Sequence, residues 1–258
     1  MEPTELALEL EALTTTRSNG SGTGVSDSKA VAAEPIVYTR SRRVDVSRSL
    51  LLQHRVVTAS EEGPLTDAYK ILRTQVLHRM RENGWNVLGV TSPGKQEGKT
   101  MTAVNLGISL AMEGNQTVLL VDADLRAPRV HRVFGLGEPR GLVDYLLDGT
   151  PVEDLLVHPG IGRFLLLPAG RGVLGSSELL TSPRMLALVK ELKQRYQSRI
   201  VLFDLPPLLD AADALAFSPY TDAVLLVIEA GRTQAEQIER ALQLLKGTPI
   251  IGTVLNKG

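Results

Sequence analysis

Cysteine is absent from the 258 residues. That removes disulfides, thiolate metal sites and cysteine nucleophiles together, and accords with a reducing compartment. Histidine is scarce. The four present, His54, His78, His131 and His158, are widely spaced, so a His-built metal centre is not expected. Aromatic residues make up 4% of the chain, and the Arg-rich stretch from Tyr38 to Arg55 holds too few for a platform on which bases could stack. Charge of neither sign dominates. A net charge of −1 offers no basic field for nucleic acid and no acidic tail, so no nucleic-acid partner is expected. No apolar run approaches the ~20 residues that cross a bilayer, and the acidic start is not a signal peptide. These absences predict a cytoplasmic protein, peripheral to the inner membrane only through a partner.

Hydrophobic residues reach 43%, enough for a substantial core. The stretch that organises the rest is Asn86 to Thr100, NVLGVTSPGKQEGKT. It reads as a buried strand, a phosphate-cradling loop and the first turn of a helix. Gly94 and Gly98 let the backbone turn its N–H groups inward, Lys99 supplies a point charge for the β- and γ-phosphates, and the Thr100 hydroxyl suits Mg²⁺. The loop departs from GxxxxGK[ST] in having Pro93 where a glycine belongs, and a strand–turn–helix connection with an incidental Gly-Lys-Thr is the competing reading.

Two later stretches favour the phosphate loop. Thr117 to Val121 is a continuous apolar strand ending in Asp122-Ala123-Asp124-Leu125-Arg126, and Arg199 to Phe203 is another, closed by Asp204-Leu205-Pro206-Pro207. Carboxylates at the carboxyl ends of parallel strands lie in the crevice where open α/β sheets bind ligands. A strand-terminal Asp is also the second half of a P-loop nucleotide site, holding Mg²⁺ directly or through water. The alternative for each Asp is a turn or capping role.

Strands at Phe164–Leu167, Ala223–Glu229 and Ile250–Leu255 alternate with helices at Thr100–Glu113, Gly141–Leu147, Ser182–Tyr196 and Thr233–Leu245. Gly114-Asn115 is the expected stop of the first of these helices. The alternation predicts an α/β fold of the P-loop NTPase type, with a mostly parallel sheet covered by helices on both faces. Leu65 to Glu82 is predicted as an amphipathic helix. Leu65, Ala68, Tyr69, Leu72, Val76 and Met80 form its inward stripe, and Asp67, Lys70, Arg73 and Thr74 its outward one.

Residues 1–60 read as a largely disordered segment and 61–258 as the folded domain. Within the first part, Leu6, Leu10 and Leu13 fit either a short amphipathic docking helix or a frayed acidic terminus, and residues 14–29 form a Ser/Thr/Gly linker. Arg40, Arg42, Arg43, Arg48 and Arg55 fit either a solvated linker face or a contact with anionic lipid or an acidic partner.

From Asp67 onward the order of motifs resembles the cytoplasmic ATPase domain of the bacterial tyrosine autokinases of capsular and exopolysaccharide clusters, and the soluble members in exosortase-type clusters most of all. The stretches that carry the resemblance are DAYKILRTQVL, TSPGKQEGKT, TVLLVDADLRAP, GLVDYLL, SSELLTSPRM, RIVLFDLPPLLDAADALAFSPYTDAVLLV and GTVLNKG. The resemblance implies ATP and Mg²⁺ as cofactors. It places nucleotide against Gly94, Lys95, Gln96, Glu97, Gly98, Lys99, Thr100 and Met101, with Asn256 at the adenine. Thr100, Asp122 and Asp204 would hold the metal, and Lys99, Asp122, Asp124 and Asp204 would carry catalysis, one of the paired aspartates serving as base.

The chain also departs from that family. Its Glu-x-x-Arg-x-x-Arg ring motif stands here as Asp67, Lys70 and Arg73, which keeps each charge but makes a homo-oligomer through this helix an open expectation. The loop is one residue shorter than GKGGxGKT, so Lys95 is not the signature lysine of division-site and partition ATPases. The last residues, Asn256-Lys257-Gly258, lack the Asp that would read guanine. Tyr38, Tyr69, Tyr145, Tyr196 and Tyr220 are scattered, so autophosphorylation on a C-terminal tyrosine cluster is not expected.

The implied function is a Mg-ATP-dependent protein-tyrosine kinase that regulates exopolysaccharide synthesis or export, acting with a membrane polysaccharide co-polymerase or chain-length regulator. Two alternatives stand beside it. One is an ATP-driven assembly switch without a protein substrate, and the other is an assembly subunit that merely holds nucleotide.

Overall fold

The computed structural model describes residues 41–57, 62–113, 116–195 and 199–257. The expectations for residues 1–40, the Gly114-Asn115 helix stop and Tyr196 fall outside them.

Eight strands form one sheet: β1 (Arg42–Arg43), β2 (Val87–Thr91), β3 (Thr117–Asp122), β4 (Val157–His158), β5 (Phe164–Leu167), β6 (Arg199–Asp204), β7 (Ala223–Glu229) and β8 (Ile250–Asn256). Their order across the sheet is β1-β4-β5-β3-β6-β2-β7-β8. Every pairing is parallel except β4 with β5. Parallel neighbours require crossovers, and these are made by helices α1 (Arg48–Gln53), α2 (Pro64–Asn83), α3 (Lys99–Ala111), α4 (Val130–Val133), α5 (Leu142–Asp148), α6 (Val152–Leu155), α7 (Ser176–Leu180), α8 (Pro183–Arg195), α9 (Ala212–Phe217) and α10 (Ala235–Leu244).

The continuous apolar runs of β2, β3 and β6 follow from cover on both faces. Leu88, Val90, Leu120 and Leu202 point into one apolar cluster with Tyr69, Val76 and Met80 of α2 and Val104 and Ile108 of α3. Val87, Leu119, Val121 and Phe203 alternate into the other, with Leu146 of α5, Leu188 of α8 and Ala241 of α10. Gly107 permits the close seat of α3 on the sheet, since a β-carbon there would stand 2.8 Å from the Phe164 ring. Ser182 caps α8 as expected, its Oγ accepting from the Met185 amide at 3.2 Å.

Two expectations need correction. The folded body begins upstream of residue 61. Arg42 and Arg43 pair with Val157 and His158, and Leu51, Val56 and Val57 are buried in the first cluster, so much of the Arg-rich stretch is structural. On α2, Leu65 and Ala68 are exposed rather than inward. Arg73 turns in, pairing with Glu113 at 3.1 Å and donating to the Ser109 carbonyl at 3.2 Å. The packed stripe is set by Tyr69, Val76, Leu77 and Met80, and the first helical turn overhangs it.

Candidate active site

The site is a product of strand order. β2 lies between β6 and β7, and β3 lies on the far side of β6, so the carboxyl ends of β2, β6 and β3 stand side by side. Asp204 is the register partner of Val90 on one side and of Asp122 on the other. Residues far apart in the chain thereby meet at one rim of the sheet, where the loop after β2 turns into α3.

That loop is held open by its own carboxylate. Glu97, only 3% exposed, accepts from the Gly94 amide at 2.9 Å and from the Thr233 hydroxyl at 2.7 Å. Gly98 has φ +97 and begins α3, and a β-carbon there would fall 1.9 Å from the Asn256 amide nitrogen. The bare α3 N-terminus directs unpaired N–H groups and a partial positive charge toward an anion. Gln96 adopts φ +65, a left-handed conformation usually left to glycine.

Lys99 lies behind the loop, 9% exposed. Its Nζ stands 2.9 Å from Asp124 Oδ2, 3.4 Å from Asp204 Oδ1 and 3.3 Å from Thr100 Oγ1. Thr100 donates its hydroxyl to Asp204 Oδ2 at 2.7 Å. Burial works against the lysine's charge, but attraction to Asp204 and Asp124 outweighs it and raises the ammonium above its ordinary range. Burial likewise raises Asp204, with Lys99 and Thr100 pulling the other way.

Asp122 is fully buried and fastened differently. Its Oδ1 accepts from the Asp124 amide at 3.3 Å, and its Oδ2 from Arg129 and Val130 at 3.2 and 3.1 Å. Burial first and the Asp204 charge second push its carboxyl up to about 8, against the opposing pull of Lys99 and the Val130 amide. A carboxyl so placed keeps its proton to a higher pH than one in water.

The expected residues therefore divide. Lys99, Thr100, Asp124 and Asp204 form one hydrogen-bonded cluster, and Asp122 adjoins it with its oxygens occupied by backbone amides. Lys95 points away, its Nζ 3.4 Å from Asp210. Asn256 donates to the Glu97 carbonyl at 2.9 Å and so braces the loop. Thr233, Glu229 and Lys257 were not foreseen. Lys257 bridges the Gln96 carbonyl at 2.8 Å and Glu229 at 3.0 Å. Their only sequence signal is their place at or just past the carboxyl ends of β7 and β8, at the same rim as the loop.

Beside the aspartates, Asp213 on α9 is buried without exposure and gathers three groups. It accepts from the hydroxyls of Ser176 and Ser177, the latter at 2.6 Å, and pairs with Arg126 at 3.4 Å.

Residues 95–250 match the family model described as an AAA domain. Over 213 residues the chain is 32% identical to tyrosine-protein kinase YwqD of Bacillus subtilis, covering 81% of this chain and 89% of that one. The chain belongs to the bacterial tyrosine-protein kinases. A second member of the family, etk of Escherichia coli, is 31% identical over 192 residues, which make up 74% of this chain and 26% of that one. The solved kinase domain of etk superposes with a TM-score of 0.69 at 28% identity, covering 86% of this chain and 89% of that domain. The septum site-determining protein MinD of Pyrococcus horikoshii, solved with Mg-ADP, resembles this chain less: TM-score 0.54, 25% identity, and 66% of this chain and 69% of that one. The family implies nucleotide binding.

Proposed function

We propose that this chain transfers the γ-phosphoryl group of ATP to a tyrosine hydroxyl of a protein, in the control of exopolysaccharide synthesis or export. The observation that supports this reading is the Thr100–Asp204 hydrogen bond beside the Lys99–Asp124 pair, a hydroxyl, a cation and two carboxylates at one rim with Asp122 next to them. In the transfer, the bond from the bridging oxygen to the γ-phosphorus breaks and a bond from the tyrosine oxygen to that phosphorus forms. ADP leaves, and the phenolic proton passes to an aspartate of the Asp122/Asp124 pair.

The donor set suits Mg²⁺. Among the described residues no three acidic or His side chains gather as a self-sufficient metal site. A Thr hydroxyl with one carboxylate is what Mg²⁺ takes when phosphate oxygens and water complete its shell. Thr100 and Asp204 would hold it, with Asp122 in reach of its water shell. Bound there, the ion neutralises charge developing on the transferring phosphoryl group. Lys99 would then move from the aspartates to the phosphates, and the loop amides after Gly94 would orient them.

No helix among the described residues is long and apolar enough to cross a membrane. We therefore take the membrane partner to be a separate chain of the polysaccharide co-polymerase type, and the kinase domain to begin near residue 42. Exposure of Leu65, Ile71, Asp67 and Lys70 on α2 supports a homo-oligomer contact there, although Arg73 is engaged within its own chain.

The test is phosphotyrosine formation with Mg-ATP, alone and with the membrane partner, lost in Asp122→Asn. If wild type forms none in either case, the kinase reading is wrong. The second reading, an ATP-driven assembly switch, draws on the MinD likeness and on Tyr69 being buried in the core. A nucleotide-dependent change in assembly mass without phosphotyrosine would select it.

A further inference from the structure

The loop that fastens Asp122 has a second side. Residues 126–129, 131–132, 138–140, 144 and 170–172 enclose a groove of about 550 Å³. Five arginines line it, Arg126, Arg129, Arg132, Arg140 and Arg171, against two carboxylates, Glu138 and Asp144. Two of the five are engaged: Arg126 with Asp213, and Arg140 with Asp144 and the Thr150 hydroxyl. Arg129, Arg132 and Arg171 are exposed and have no ion-pair partner among the described residues. His131, nine-tenths buried in the wall, leaves its Nδ1 without a hydrogen-bond partner. Uncompensated guanidinium groups on a concave surface concentrate the field and favour carboxylates or phosphates, which they grip in pairs of hydrogen bonds.

The groove shares a wall with the proposed chemistry. Ala127 donates its amide to Asp124 at 3.1 Å, and Arg129 and Val130 donate theirs to Asp122, so the same few residues hold the aspartates on one side and the arginines on the other. The opposite wall is tied in through the Val173 amide and the Leu125 carbonyl, 2.9 Å apart. No Phe, Tyr or Trp lines the groove. That disfavours a sugar polymer or unstacked bases, both of which bind on ring faces, and leaves side-chain carboxylates as the matching chemistry.

We propose that this groove docks an acidic peptide segment flanking the acceptor tyrosine, so that carboxylates on the Arg129, Arg132 and Arg171 side bring the phenol to Asp122 and Asp124. The proposal rests on the kinase reading for its acceptor, and its binding test is independent of phosphoryl transfer.

The experiment is fluorescence anisotropy with a short labelled peptide of glutamates around one tyrosine, and its counterpart with lysines. The acidic peptide binds at least about tenfold tighter at low salt and weakens as salt rises. Arg132→Glu with Arg171→Glu abolishes the preference, and Arg132→Gln with Arg171→Gln, which adds no repulsion, reduces it. Equal binding of the two peptides, or an acidic preference that survives both double variants, overturns the proposal. So does tighter binding of polygalacturonate than of the acidic peptide. Mg-ATP is then added. An acidic peptide that binds but gains no phosphate, with or without the membrane partner, fails the kinase reading and leaves the groove standing. Phosphorylation of both peptides with equal KM fails the groove and leaves the kinase standing.

Discussion

Asn256, the last residue of β8, donates its side-chain amide to the carbonyl of Glu97 at 2.9 Å, across 159 residues of chain. The contact fixes the crest of the phosphate loop from the opposite end of the fold. Asn256→Ala is expected to weaken ATP and GTP equally and to cost about 1 kcal/mol of stability, the ordinary worth of such a bond. Calorimetric titration with both nucleotides checks it, and a selective loss of ATP would restore a base-contact role.

Gln96 stands at φ +65, where a side chain costs roughly 1–2 kcal/mol and glycine does not. Glycine carries its own entropic cost of about 0.5–1 kcal/mol, so Gln96→Gly should raise stability by up to ~1 kcal/mol. Urea denaturation of the nucleotide-free protein measures this, and a loss of stability would show that the Gln96 side chain has a role of its own.

Removing Asp213 should be severe for a residue outside the nucleotide cluster. Asp213→Ala strands two serine hydroxyls and an arginine around a fully buried position, at a cost of about 2–4 kcal/mol. Arg126 also loses its anchor beside the aspartates. A change in urea midpoint with an unchanged slope is the expected signature.

Stability of the nucleotide-free protein should fall as pH rises from about 4 toward 8. Native Asp122 is held at about 8, above the ordinary carboxylate value of 3.8, so within that window the native state binds the extra proton and raising the pH withdraws it. One proton accounts for at most ~1.4 kcal/mol per pH unit. Asp122→Asn should reduce the slope without abolishing it, because Asp204 is displaced in the same direction. Denaturation at several pH values, with and without the substitution, decides the matter.

The sheet and the loop after β2 were legible because the core strands are unbroken apolar runs, two of which end in an aspartate. Val118 to Val121 ahead of Asp122, and Ile200 to Phe203 ahead of Asp204, declare burial and position together. The stretch 42–57 was hidden by its arginines, which mask Leu51, Val56 and Val57 in any compositional window. Helices α7 and α9, of five and six residues, are too short to show a period. Asn256, Thr233 and Lys257 act across long sequence separations, and no local pattern announces a contact of that kind. The inward turn of Arg73 depends on Glu113 arriving from α3, which the α2 sequence alone does not contain.

Lys99 sits between Asp124 and Asp204 as a tethered counter-ion. Its carboxylate partners are thereby paired within the chain, so chelation of divalent ions should leave the chain folded. On the proposed function a triphosphate would first have to prise the ammonium from those carboxylates, and its measured affinity would be what survives that exchange.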